Sequence, residues 1–194
     1  MSGADTRMLL AVIYDDGTAA DRILSDLGYA LRDRRVGVKG LVQRNTFKRD
    51  RTKCDMELEE LGSGMTFQLS EDRGKHAGGC RLDREAITSA AALIGPSLKS
   101  DCELLIINKF GRSEAEGRGL REVIAEAVER EIATIVGVPR RNLEVWQRFA
   151  DGLFNQCGIE EPAILLSWVE ELTGCKVSIA SLRAPGELAC EHLS

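Results

Sequence analysis

The chain alternates short, wholly apolar runs with longer stretches in which apolar residues recur every three or four positions. Met8 to Tyr14 is uninterrupted apolar sequence and stops at Asp15-Asp16-Gly17. Such a run reads as a strand buried on both faces. Ala20, Ile23, Leu24, Leu27 and Leu31 then fall on one face of a helix. Thr18 is its expected cap, with Asp21 as capping-box partner. Val36 to Gln43 is a second strand, and Leu104 to Ile107 and Ile132 to Val138 are two more of the fully buried kind. Between them, Cys54, Met56 and Leu58 alternate, then Met65, Phe67 and Leu69, about Gly62-Ser63-Gly64. That pattern predicts a β-hairpin inserted in the fold.

Further helices are expected from Asp83 to about Leu98, over Leu120 to Val128, after Asn142 with Trp146 and Phe149, and from Pro162 to Gly174. Strands alternating with helices give an α/β fold, a three-layer, mainly parallel sheet covered on both sides. Ligands bind such sheets at the carboxyl ends of the strands, so the loops of interest are 15–18, 43–53, 74–82, 108–117 and 138–142. Residues 1–157 are expected to form this domain and 158–194 a C-terminal helical appendage, with weak strand character at Val177 and Ile179.

Composition narrows the classes. The 194 residues are 43% hydrophobic and 29% charged, which is globular. A net charge of −5 argues against a nucleic-acid partner, which would need a basic face. There is no apolar run long enough to cross a membrane and no signal-peptide pattern at the start. With six cysteines and no C-x-x-C pair, reduced thiols and a cytoplasmic location are expected.

The first strand–loop–helix is where a phosphate-binding P-loop, G-x-x-x-x-G-K-[ST], would lie. The glycines of that motif let backbone N–H groups close on phosphate, and its lysine reaches the outer phosphates. Here the loop is Tyr14-Asp15-Asp16-Gly17-Thr18, with one glycine, and no lysine precedes Lys39. Two carboxylates stand where the anion would go, and like charges a few Å apart repel by about 1–4 kcal/mol. The strand Leu104–Ile107 should end, Walker-B fashion, in an acid that holds Mg²⁺; it ends in Asn108-Lys109. Both Walker positions are degenerate, so ordinary ATP or GTP hydrolysis is not expected.

Several segments in order carry a resemblance: Val12-Ile13-Tyr14-Asp15 and Gly17, Gly40-Leu41-Val42-Gln43, Cys54-Asp55-Met56, Gly79-Cys80-Arg81-Leu82-Asp83, Asn108 to Glu114, Gly117 and Gly119, and Gly137-Val138 before Trp146. From about Met8 to Phe149 the chain resembles the bacterial domain of unknown function 2478. More distantly, Ile107 to Glu114 is similar to the I-D-E-I-G-K-M-E segment of small P-loop nucleoside-triphosphatases, whose Asp and Glu are the residues replaced. The family resemblance implies a P-loop NTPase-like fold without an established activity. Its genes often stand beside molybdate-transport genes, which implies a link to molybdenum or a similar oxyanion.

Arg81, Lys109 and Arg112, with Arg121 as a further candidate, lie on or just after loops at one sheet edge. With the backbone N–H groups of Gly17 and Thr18 they could enclose molybdate, tungstate, sulfate or phosphate. The alternative is a structural network in which these cations pair with Asp15, Asp16, Asp83 and Glu114. Cys54, His76 and Cys80 are a weak zinc set, with spacing unlike any zinc motif; buried or inert thiols are the simpler reading, and Cys80 beside Arg81 is a candidate redox thiol. No cofactor is required. The basic run 48–53 reads as a solvated loop or a lid over the ligand mouth. The expected functions are a non-hydrolysing small-oxyanion binding or regulatory protein tied to molybdenum metabolism, a divergent nucleotide-dependent phosphohydrolase, or a scaffold. Candidate partners are a second copy of the chain or a molybdate-transport or molybdenum-cofactor protein.

Overall fold

The computed structural model describes residues 7–46, 55–68, 84–99, 101–178, 180 and 182. In chain order the elements are β1 (Leu9–Tyr14), α1 (Gly17–Asp33), β2 (Val38–Thr46), β3 (Asp55–Glu60), β4 (Thr66–Gln68), α2 (Arg84–Ser97), β5 (Leu104–Ile107), α3 (Arg112–Ala115), α4 (Arg121–Glu129), β6 (Ala133–Pro139), a single 3₁₀ turn (Arg140–Asn142), α5 (Leu143–Ala150), β7 (Asn155–Gly158) and α6 (Pro162–Thr173). The strands form one seven-stranded sheet, ordered β4-β3-β2-β5-β6-β1-β7. β2-β5-β6-β1-β7 are parallel throughout, and β2-β3-β4 run antiparallel. The architecture is therefore mixed α/β, with the hairpin at one edge.

Alternation along β1 explains the layers. Leu9, Ala11 and Ile13 join one buried cluster with Ile94 of α2, Val123 and Ile124 of α4 and Trp146 of α5. Leu10 and Val12 join the other, with Leu24, Leu27 and Leu31 of α1 and Leu165, Trp168 and Val169 of α6. All six residues of β1 are buried, as its unbroken apolar sequence requires.

The C-terminal segment is part of this core. β7 pairs in parallel with β1, Val12 opposite Cys157, so the boundary expected at 157/158 falls inside a strand of the main sheet. α6 covers the same face of β1 as α1, and its Trp168 indole donates to the Arg7 carbonyl (3.2 Å). The sequence reading missed β7 because Asn155-Gln156-Cys157-Gly158 carries no apolar alternation. Val177 is buried but lies in no strand; Ile179 lies outside the described residues.

In the hairpin, Leu58 stands opposite Phe67 and both pack on the first cluster. Cys54 and Leu69 lie outside the described residues, and Met65 is exposed. Glu60 of β3 is buried, and its carboxylate accepts N–H bonds from Gly40 (3.2 Å), Gly62 (3.0 Å) and Ser63 (2.6 Å). It fastens the β3–β4 turn to β2. No helix among the described residues is long and apolar enough to cross a membrane.

Candidate functional site

The carboxyl end of β1 delivers Tyr14, Asp15 and Asp16 to the start of α1. Asp16 is extended and is the N-cap: its Oδ1 accepts the N–H of Thr18 (2.9 Å) and of Ala19 (3.3 Å). Asp16 therefore takes the capping role expected of Thr18. The reason is local: the helix already begins at Gly17, so a side chain one residue before it is the one that reaches the second and third free N–H groups. A carboxylate is also favoured at the positive end of a helix dipole. The free N–H groups of Thr18 and Ala19 are thus taken by the chain's own acid.

Asp21, the expected capping-box partner, is used differently. Its Oδ1 accepts from Asn108 Nδ2 (2.7 Å), across 87 positions of sequence. Asn108 follows β5 and is buried. An ionised aspartate can only accept, so the amide nitrogen must face it. That leaves Asn108 Oδ1 buried with no hydrogen-bond partner. The residue after β5 is thus tied to α1 by an amide that donates to a carboxylate. With no lysine in the loop, a carboxylate on the helix end and this amide, the residues do not fit a magnesium–nucleotide bound in the P-loop manner.

Lys109 is exposed, and its stem runs beside Gly111, whose Cβ position would lie 3.8 Å from Lys109 Cγ. Arg112 starts α3 and is paired by its Nε with Glu116 (2.6 Å), a hydrogen bond that raises its pKa further. Arg121 has turned to the other layer: it lies 4.3 Å over the Phe149 ring and donates to the Glu114 carbonyl (3.3 Å). The Glu114 carboxylate, buried, accepts from Gly111 N–H (2.8 Å) and Leu120 N–H (3.1 Å), so it shapes the 111–120 loop. It does not pair with Arg112, as the network reading supposed. Arg81, Cys54, His76, Cys80, Asp83 and the run 48–53 lie outside the described residues.

A cation reaches the loop after β1 from the 3₁₀ turn that follows β6, the strand between β1 and β5. Arg140 Nε bonds Asp15 Oδ2 (2.9 Å), and that hydrogen bond also raises the arginine's pKa. Sequence reasoning marked the 138–142 loop but not this residue. The available signal was Arg140-Arg141 placed directly after a buried strand.

Tyr14 completes the group. It is 2% exposed, and its hydroxyl has no hydrogen-bond partner. Burial pushes the phenol pKa well up; Asp21 adds to the shift and Arg141 opposes it. The hydroxyl is therefore neutral at any physiological pH. A buried unsatisfied group costs about 1–3 kcal/mol, so Tyr14→Phe should raise folding stability by about 1 kcal/mol, read as a higher urea midpoint at unchanged m-value.

Among the described residues no cluster of three or more His, Cys, Asp or Glu side chains could hold a metal ion. Burial pushes the Cys102 thiol up to about 11 and the Cys157 thiol up to about 12. Both are protonated at neutral pH and poor nucleophiles.

A family model described as a protein of unknown function (DUF2478) matches residues 9–168. The chain belongs to this family. The matched region runs past Phe149 and Cys157 into α6, further than the sequence segments alone indicated. This DUF2478 chain is also 28% identical over 164 residues to the molybdenum import ATP-binding protein ModC 2 of Bradyrhizobium diazoefficiens. The alignment takes in 84% of this chain and 18% of that protein, so the chain spans less than a fifth of the relative's length. Among solved structures, the DUF2478 chain is similar to THEP1 from the hyperthermophile Aquifex aeolicus, with a TM-score of 0.48 and 12% identity, covering 85% of this chain and 97% of that one.

Proposed function

We propose that this DUF2478 protein is a non-hydrolysing, small-oxyanion-binding regulatory protein that works in the cytoplasm alongside molybdenum import. The observation that carries the first half is Asp16 seated on the α1 N–H groups, supported by the Asn108 amide at the Walker-B position. A tetrahedral oxyanion needs only convergent donors and no P-loop lysine. Gly17 would supply a backbone N–H group and Thr18 another once Asp16 is displaced from it, Arg140 a guanidinium from the turn after β6, and Lys109, Arg112 and Arg81 further positive charge. Molybdate, tungstate, sulfate and phosphate are the ligand class. The molybdenum link rests on the name of the ModC 2 relative and on the gene neighbourhood that the family resemblance implies.

Two measurements test this reading. A phosphate-release assay with ATP or GTP and Mg²⁺ is expected to stay at background. Turnover that disappears in Lys109→Ala would instead make the protein a divergent phosphohydrolase. Titration calorimetry with the four oxyanions is expected to give heat with at least one; silence with all four at millimolar ligand removes the proposal.

A further inference from the structure

At the carboxyl edge of the sheet, many donors already have an acceptor of the chain's own. Asp15 holds Arg140, and Glu116 holds both Arg112 and Arg118. Others do not. Tyr14 is 2% exposed, and its hydroxyl is buried without a partner. Arg141 and Lys109 are exposed, and among the described residues neither pairs with a carboxylate. The fold brings these three to one place. β1 and β6 are parallel neighbours with Tyr14 opposite Pro139, the last residue of β6, so Arg141 enters the turn directly beside the end of β1. Burial and then Asp21 act most on the Tyr14 hydroxyl, and Arg141 is the cation whose charge reaches it. Asn142, next to Arg141, donates to the carbonyl of Phe110, next to Lys109 (2.8 Å). The turns after β6 and β5 are thus pinned together with a cation on each.

We infer that a small tetrahedral oxyanion binds between the Tyr14 hydroxyl and the Arg141 guanidinium, with Lys109 adding charge from the turn after β5. This rests on the oxyanion-binding reading and names, within it, donors that need not be taken from a carboxylate of the chain. The guanidinium is a planar fork that meets two oxygens at once, and the hydroxyl donates to a third. A bond from a buried hydroxyl to an anion is charge-assisted and about twice as strong as a neutral one. It also gives the hydroxyl the acceptor it lacks in the free protein. The Asp21 carboxylate opposes the anion, but its Oδ1 is held by the Asn108 amide, and Arg141 and Lys109 set two charges against one. Because the hydroxyl is covered in the free protein, entry of the ion requires the turn that carries Arg141 to shift.

Calorimetry at pH 7 with sodium molybdate, tungstate, sulfate and phosphate tests the assignment. With whichever ion the unaltered protein binds, Tyr14→Phe and Arg141→Gln should each bind about ten-fold more weakly, the loss of one hydrogen bond to a charged group. Arg148→Gln removes the same formal charge from an exposed position of α5 and should change affinity by less than about two-fold. Thermal melting supplies a readout that a merely structural tyrosine would not move. Tyr14→Phe is the more stable protein without ligand, and that advantage should shrink in saturating ion, which stabilises the unaltered protein more. Should Arg141→Gln fail to fold, Arg141→Lys keeps the charge, loses the fork, and should still bind more weakly. Unchanged affinity in both Tyr14→Phe and the Arg141 variant overturns this site while the oxyanion reading stands. A loss confined to one of them overturns the role of the other residue, and an equal loss in Arg148→Gln reduces the effect to net charge and overturns the site as well. No heat from any of the four ions with the unaltered protein overturns the oxyanion reading itself.

Discussion

Asn108→Asp should cost about 4 kcal/mol of folding stability at pH 7 and produce no ATP or GTP hydrolysis, although it places an acid directly after β5. Asn108 is buried and donates to Asp21 at 2.7 Å. The substitution removes the donor and sets a second carboxyl against the first. Two like charges 4 Å apart repel by about 4 kcal/mol at an effective dielectric of about 20. Burial and Asp21 would raise the new carboxyl's folded pKa above the unfolded value of about 3.9. The penalty is therefore absent below about pH 4, grows as pH rises through the interval between the two values, and is complete above the folded one. Urea denaturation at pH 4 and pH 7 should show the deficit shrinking at the lower pH, with the two acids titrating as a pair. A variant as stable as the parent at pH 7 would mean that Asn108 and Asp21 are not in contact.

Gly137→Ala should lower stability by about 3 kcal/mol, for a steric reason that adjoins the site. Gly137 lies in β6 beside the exit of β5. A Cβ there would sit 2.2 Å from the Asn108 carbonyl oxygen and 3.0 Å from Leu24 Cδ1. The oxygen belongs to backbone and cannot swing aside as a side chain would. The same Gly137 accepts the Phe110 N–H at 2.7 Å, so the two backbones are held close on purpose of hydrogen bonding. For a chain of this size about 3 kcal/mol corresponds to a drop of about 6–12 °C in Tm. Calorimetric melting is the check, and a shift under about 2 °C would show that β5 and β6 can separate freely at this point.

Much of this fold could be read from residue pattern, and the parts that could not share a cause. β1, β5 and β6 announce themselves as unbroken apolar runs because strands covered on both faces have no polar side to show. The hairpin was visible because Leu58 and Phe67 alternate with polar neighbours. β7 was invisible because Asn155-Gln156-Cys157-Gly158 owes its strand to β1 beside it, and only Cys157 is buried. At the site, the Asp15-Asp16-Gly17 loop and Asn108-Lys109 were legible because each directly follows an unbroken apolar strand. The Asn108–Asp21 bond and the Arg140–Asp15 pair join residues 87 and 125 positions apart. Arg140 directly follows a buried strand, but only the fold shows that it pairs across the sheet while Arg112 pairs within its own helical turn.

β1 also sets the order in which the protein can be assembled. It is made long before its two neighbours in the sheet, β6 and β7, which come from residues 133–139 and 155–158. During synthesis at about 5–20 residues per second, an exposed strand of Leu, Val and Ile must wait several seconds for either flank. Pairings this distant are slow to close. Nascent chains stalled before Gly158 should therefore be the ones that chaperones hold.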